Sequence, residues 1–417
     1  MWDADGNRYV DLTAGFGVAA AGHRHPRVEE AIQSQAAALS HGMGDVHPPS
    51  VKTGLMERLM AHAPWDESRV ILGVSGSEAV EIALKTACLA TGKPGVLCFT
   101  GAYHGLTYGA LSVTDRAYFR SPFEAQLNPH VLRVDFPHPY RLPESLRHAV
   151  DAAGGDLATE DLVTEALAAA ALAAVSGALD SPGGNQVGAV IVEPIQGRGG
   201  DVVPPGAFLP GLADLCRERG LLLIADEIYT GFGRTGSWLT ATEDGVTPDL
   251  VCVGKACSGG MPISACLGAA QVMDAWPESP GEAMHTTTFQ GHPIACAAAS
   301  AAIEVIEDEG LIRRSREEGE RWGALLDQLA VQHPLVGDIR GRGLMRGIDL
   351  VRDPATREVA PLLAQRVVGE ALRRGWILLL SGPEGNVISL SPPLTIAGEL
   401  LDAAVEMLDG VLESVRE

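Results

Sequence analysis

The sequence predicts an α/β protein. A large domain carries a mostly parallel sheet covered by helices, and a smaller α+β domain sits beside it. Three observations predict this. Helical and strand patterns alternate through the middle of the chain. The strands are short, apolar and unalternating, as in a sheet buried on both faces. The chain has 417 residues, more than a single hydrophobic core ordinarily serves.

The elements follow in order. "VEEAIQSQAAAL" (28–39) and "EAVEIALKTACLAT" (78–91) have helical periodicity. "GVLCF" (95–99), "VGAVIVEP" (187–194), "LLLIAD" (221–226) and "LVCVGK" (250–255) read as buried strands. "GAFLPGLADLCRERG" lies between the second and third of these and reads as a helix ending at Gly220. "EDLVTEALAAAALAAVSGAL" predicts a further helix and "DSPGGNQ" a loop, and residues 151–186 carry no functional signal. After about residue 297 the pattern changes: "AAASAAIEVIEDEG" and the charged helix "IRRSREEGERWGALLDQLA" precede short strands in "GLMRGIDL" and "NVISLSPPL". The expected organisation is 1–45 as the N-terminal part of the small domain, 46–296 as the large domain and 297–417 as the C-terminal small domain.

Bulk properties narrow the class. A hydrophobic content of 46% with 20% charged residues is that of a soluble globular protein. The net charge of −22 argues against nucleic acid or an anionic membrane as partner. No uninterrupted apolar run approaches the roughly 20 residues of a membrane span, and the N-terminus shows no signal-peptide pattern. The seven cysteines are odd in number and none has CxxC spacing, so they read as reduced core residues of a cytoplasmic protein, with no metal site expected.

"GFGRTG" (231–236) has the spacing of a dinucleotide fingerprint. That motif must follow its strand at once and open a helix. Here four residues separate Asp226 from Gly231, and "SWLTATEDG" is a poor helix start. The glycines therefore read as a mobile loop, and attention passes to Asp226 at the strand end.

Four features fall at the ends of elements, where α/β proteins place their sites. The turn Ser75-Gly76-Ser77 opens a helix whose free N–H groups and dipole suit a phosphate, although an ordinary N-cap has the same look. "GAYHG" sets Tyr103 and His104 after a strand, either to stack a flat ring or as a packed turn. Asp226 can pair with a protonated ring nitrogen, or serve as a helix cap or ion pair. Lys255, one of only four lysines, ends an apolar strand. A desolvated lysine has a depressed pKa and forms a Schiff base with an aldehyde. Together these are the parts needed for pyridoxal 5′-phosphate. Lys255 would then also move a proton at the substrate's α-carbon.

With these residues in hand, the sequence resembles the class III aminotransferases of the fold type I pyridoxal-phosphate enzymes, from about Asp5 to the C-terminus. "SGSEAVEIALK", "AYHG", "VEPIQGRGG", "DEIYTGFGRTG", "GKACSGGMP", "TTTFQGHPIACAAA", "GDIRGRGLM" and "PPLTI" match family motifs in family order. The resemblance implies that the Ser75–Ser77 turn, through Gly76 and Ser77, binds the phosphate and that Tyr103 stacks on the ring with His104 beside it. It implies Glu193 near the ring, Asp226 on the pyridine nitrogen, Ile228 on the opposite face and Lys255 as the internal aldimine. Thr288 is expected to reach the phosphate of a neighbouring subunit, in a homodimer with shared sites or a tetramer.

Three positions depart from the family pattern. Tyr229 stands where many members carry a glutamine to the cofactor's phenolic oxygen. Ser389 stands where 2-oxoglutarate users carry an arginine, and Arg198 where they carry its acidic partner. Arg198 is expected to bind a substrate carboxylate from the opposite wall, or else to face solvent or pair with Asp201. The implied activity is ping-pong transfer of an amino group from an amine or ω-amino acid to a 2-oxo acid. The alternative is an amino-acid racemase or epimerase of the same family, which Ser389 keeps open and Arg198 disfavours, since a guanidinium is a poor base.

Overall fold

The computed structural model describes residues 1–144, 146–148 and 157–415. Its centre is a seven-stranded sheet: β1 Ser68–Gly73, β2 Gly95–Phe99, β3 Val131–Val134, β4 Val187–Val192, β5 Leu222–Asp226, β6 Leu250–Val253 and β7 Ser264–Ala269. The order is β1-β7-β6-β5-β4-β2-β3. Only β7 runs antiparallel to its neighbours, while β2 to β6 pair in parallel. Every residue of β2, β4, β6 and β7 is buried, which accounts for their unalternating apolar runs.

Three of these strands escaped the sequence pattern. β3 is an edge strand, half-buried throughout. β7 ("SACLGA") is built from small residues with weak strand preference and is held by pairing on both sides. β1 ("SRVILG") opens on polar residues and turns apolar only toward its end.

Helices cover the sheet. α1 is Pro26–Ala38, α2 Ser50–Ala61, α3 Gly76–Thr91, α4 Leu157–Leu179 and α5 Phe208–Arg219. α5 ends at Gly220 with φ 64°, as its glycine predicted. α6, Pro293–Asp308, begins before the expected residue 297 and packs through Ala298, Ala301 and Ala302 on Val28 of α1.

Within α4, Asp161–Leu179 is long and apolar enough to cross a membrane by length and composition, with mean hydropathy 1.8. The run is not uninterrupted, since Asp161, Thr164, Glu165 and Ser176 break it; its alanines raise the mean without a conspicuous block of large apolar residues. Leu167, Ala168, Ala171 and Val175 bury one face of it. Residues 151–156 of the signal-free stretch lie outside the described residues.

The C-terminal part holds an antiparallel sheet. β8 is Val336–Arg342, β9 Met345–Asp353, β10 Glu358–Val359, β11 Leu379–Ser381 and β12 Val387–Leu390. β9 pairs with β8, β10 and β12, and β11 pairs with β12. Helices α7 Leu311–Gln332, α8 Pro361–Arg373 and α9 Gly398–Ser414 flank it. Near the N-terminus, Val10–Asp11 pairs in parallel with Trp376–Ile377, which ties that segment to the C-terminal part.

"GFGRTG" is not a mobile loop. Residues 231–236 are buried, with Gly233 and Gly236 at φ 89° and 90°, where only glycine is unstrained. Arg234 is fully buried and donates to the Leu344 and Pro392 carbonyls at 3.0 and 2.5 Å. The glycines serve a tight turn packed against Ile306, Ile312, Arg316 and Leu394.

Candidate active site

The C-terminal ends of β1, β2, β4, β5 and β6 share one edge of the sheet, and each delivers a side chain or turn to the same cavity. That is where open α/β sheets bind ligands. The cavity encloses about 600 Å³ and is lined by Gly76, Ser77, Tyr103, His104, Asp226 and Lys255, among others.

β5 ends at Asp226, which is 4% exposed. One carboxylate oxygen meets His104 Nδ1 at 2.7 Å, and the other accepts the Ile228 N–H at 3.1 Å. A ring nitrogen facing a carboxylate carries the hydrogen. His104 Nε2 is then left buried without a partner. The His104 N–H donates to Thr114 Oγ1 at 2.9 Å, which fixes the imidazole's strand-end loop.

Glu193 follows β4. Its oxygens accept the Tyr103 N–H at 2.9 Å and the Gly197 N–H at 3.1 Å, tying two loops together. Burial pushes its carboxyl up to about 7, against the opposing effect of His104.

Lys255 follows β6 with φ 39°, a strained value for a residue with a side chain. Its amine lies 4.5 Å from the centre of the Tyr229 ring. The packed surroundings lower its pKa below the usual lysine value, while Asp226 and Glu193 oppose that shift.

The phosphate side is built on α3. Ser75 caps the helix, its Oγ accepting the Glu78 N–H at 3.2 Å. Its carbonyl accepts from Ser264 Oγ at 2.6 Å. Ser77 Oγ meets Thr107 Oγ1 at 2.7 Å. A Cβ on Gly105 would come within 2.5 Å of Ser77 Oγ, and one on Gly76 within 3.0 Å of Ile228. Gly105 is therefore required by close approach, and a side chain at Gly76 would crowd Ile228. Glu78 and Glu81 brace this wall: they accept the Val74 N–H at 2.6 Å and the Gly109 N–H at 2.8 Å. Thr107, Thr114 and Ser264 were not singled out from the sequence. Thr107 stands two residues beyond "GAYHG", and the other two leave no local signal.

The residues fit a phosphate-bearing pyridine aldehyde. An N-capped helix start, a glycine cradle, a buried carboxylate held by an imidazole and a lysine of lowered pKa converge on one cavity.

Four of the expected site residues, Ser75, Thr288, Ser389 and Arg198, lie outside the cavity lining. Thr288 is exposed. Ser389 is 2% exposed in β12, opposite Gly347. Arg198 is half-buried beyond the lining. Among the described residues its guanidinium has no hydrogen bond or ion pair, yet its charge bears on both Lys255 and Asp201. The pair with Asp201 weighed from the sequence is not formed. Asp201 itself is fully buried at φ 54°. No hydrogen bond of full geometry reaches either carboxylate oxygen; burial raises the group to about 8, with the nearby Ser389 hydroxyl and the charge of Arg340 opposing.

Comparison with known proteins matches this geometry. The family model "Aminotransferase class-III" matches residues 1–412. The chain is 37% identical to a 4-aminobutyrate aminotransferase of Mycobacterium leprae over 98% of its own length and 88% of the relative. It is 36% identical to a 5-aminovalerate aminotransferase of Pseudomonas aeruginosa, covering 98% and 90%. An alanine/serine racemase of Pyrococcus horikoshii is 33% identical, covering 99% and 83%. Among solved structures, an amine transaminase from an uncultivated Pseudomonas species in its PLP-bound form superposes with a TM-score of 0.86 at 32% identity, covering 99% and 91%.

Proposed function

The chain belongs to the class-III aminotransferase family, and we propose that its amino donor is an ω-amino acid whose carboxylate is held by Arg198. It is a pyridoxal-phosphate-dependent aminotransferase of the fold type I architecture, moving an amino group from an amine or ω-amino acid to a 2-oxo acid. Bound pyridoxal phosphate supplies an electron sink that acidifies the C–H bond beside the substrate nitrogen.

The chain's own residues do the rest. Ser75, Gly76 and Ser77 would hold the phosphate at the α3 N-terminus. Asp226, oriented by His104, would face the pyridine nitrogen, with Tyr103 and Ile228 on the two ring faces. Glu193 keeps the loops bearing Tyr103 and Gly197 in register. Lys255 Nζ, with its lowered pKa, is suited to take and return a proton at the substrate carbon near neutral pH.

The observation that carries the donor assignment is Arg198: an unpaired, half-buried guanidinium whose charge reaches Lys255. A charge in that state is stabilised by a carboxylate ligand, most strongly in bidentate geometry. At the position of the family's α-carboxylate arginine stands Ser389, which offers no positive charge. Recognition through the far carboxylate of an ω-amino acid is the arrangement these two residues support. A guanidinium at 198 also offers no second base for racemisation.

The test is a single-turnover spectral half-reaction without 2-oxo acid, using ω-amino acids, α-amino acids and amines lacking a carboxylate. ω-Amino acids such as 4-aminobutyrate are expected to convert the cofactor fastest. Faster conversion by carboxylate-free amines, with the Arg198→Ala variant unchanged, defeats the assignment.

A homodimer is part of the same proposal. Met43, Val46, Met284 and Phe289 are 60 to 66% exposed. The segments that bear them are drawn together by the His41–Phe289 ring contact at 5.7 Å and the Thr286–Asp45 hydrogen bond. Exposed apolar surface of this kind suits a second copy, and the exposed Thr288 would then reach the partner's phosphate. Light scattering at micromolar concentration tests it, and a monomer there rejects it.

A further inference from the structure

We propose that Tyr229 is a positioning residue for Lys255, holding the ε-amine against its ring face whenever that amine is free. The ring is not a passive neighbour. A Cβ on Gly17 would come within 2.7 Å of it and one on Gly197 within 2.3 Å, so the ring occupies a slot that two glycines leave open. Its hydroxyl meets Ser391 Oγ at 2.9 Å, and Ser391 Oγ lies 3.2 Å from the Thr13 carbonyl. Both the ring plane and its tip are therefore fixed.

Among the described residues, the Lys255 amine has no hydrogen bond or ion pair; what it meets is the ring face, with the centre at 4.5 Å. The face of an aromatic ring attracts an ammonium through its quadrupole. The charged groups bearing on this amine are Asp226 and Glu193, which favour the ammonium, and Arg198, which disfavours it. Tyr229 is itself neutral, since burial raises its phenol above the usual value. The ring thus adds a short-range attraction to the opposing longer-range charges. It also confines the amine to the cavity side, where a proton is to be moved.

The test reads the Lys255 pKa rather than turnover. The full chain loaded with pyridoxamine phosphate leaves Lys255 free. Labelling with acetic anhydride across pH, followed by peptide mass spectrometry, gives its pKa, and Lys52, Lys85 and Lys93 serve as internal controls because they complete the set of lysines. Tyr229→Phe keeps the ring face and is expected to leave the Lys255 pKa where it was. Trifluorophenylalanine placed at position 229 keeps the volume but removes the ring's negative face, and is expected to lower the pKa by about half to one and a half units. An unchanged pKa in the fluorinated protein, or an equal fall in the phenylalanine variant, overturns the proposal. Both replacements are near-isosteric, and the assay does not depend on which donor the enzyme uses.

Discussion

Asp201→Asn isolates the one carboxyl among the described residues whose two oxygens are both buried without a hydrogen bond of full geometry. Asparagine matches its size and tolerates its φ of 54°, so the substitution removes a titration and little else. Burial raises Asp201 from an ordinary 3.8 to about 8. The folded protein therefore binds the proton more tightly than the unfolded chain does. The native-state advantage of the neutral form is fully present below the unfolded pKa and is lost as pH rises through the folded one. About four pKa units correspond to a ceiling of about 6 kcal/mol. Relaxation toward Arg198 and entry of water reduce such penalties, so a loss of several kcal/mol is expected. Urea midpoints at about pH 5, 7 and 9, which bracket the transition, would be compared for the two proteins. The Asp201→Asn variant should gain stability over wild type as pH rises from acid to neutral, with the gap levelling above about 8. A gap independent of pH, or one that shrinks as pH rises, refutes the reasoning.

The remaining expectations concern activity. Lys255→Ala should cut turnover by about 10²-fold or more, since the general base is removed; retained turnover in a purified, folded variant would exclude Lys255 from the proton transfer. Arg198→Ala should raise KM for a carboxylate donor about 10- to 100-fold with a smaller change in kcat, the value of a charge-assisted hydrogen bond, and steady-state kinetics with 4-aminobutyrate and a carboxylate-free amine separates the two effects. Gly197→Ala places a methyl group 2.3 Å from the Tyr229 ring; it should displace the ring and lower kcat, and unaltered kcat would show that the slot is looser than its geometry implies.

Much of this was legible in the chain because the site sits where strands end. "LLLIAD" and "LVCVGK" announce buried strands by composition, so Asp226 and Lys255 stand out as charged residues at their ends. The serine–glycine turn before α3 announces itself by capping chemistry. Other parts could not be read that way. Thr114 and Ser264 act through bonds to His104 and Ser75 that are 10 and 189 residues apart in sequence. The slot around Tyr229 joins Gly17, Gly197 and Ser391 from distant segments, and no local pattern marks such a meeting. "GFGRTG" reads as mobile in the sequence because glycines signal turns without saying whether the turn is exposed. Its burial depends on Arg234 finding carbonyls in a different part of the fold. Which donor fits is just as hard to read, because Arg198 and Ser389 lie 191 residues apart, on separate elements.

The buried arginine constrains how the enzyme breathes. Arg234 is wholly enclosed, yet its acceptors are the carbonyls of Leu344 and Pro392 rather than any acid. A buried guanidinium left without acceptors is costly. Swinging the C-terminal sheet away from the β5 turn would strand it, so the two halves are riveted together at that point. Reactants must therefore pass in and out along the open rim of the cavity, by side-chain and loop adjustments, while the frame around Asp226 and Lys255 stays shut.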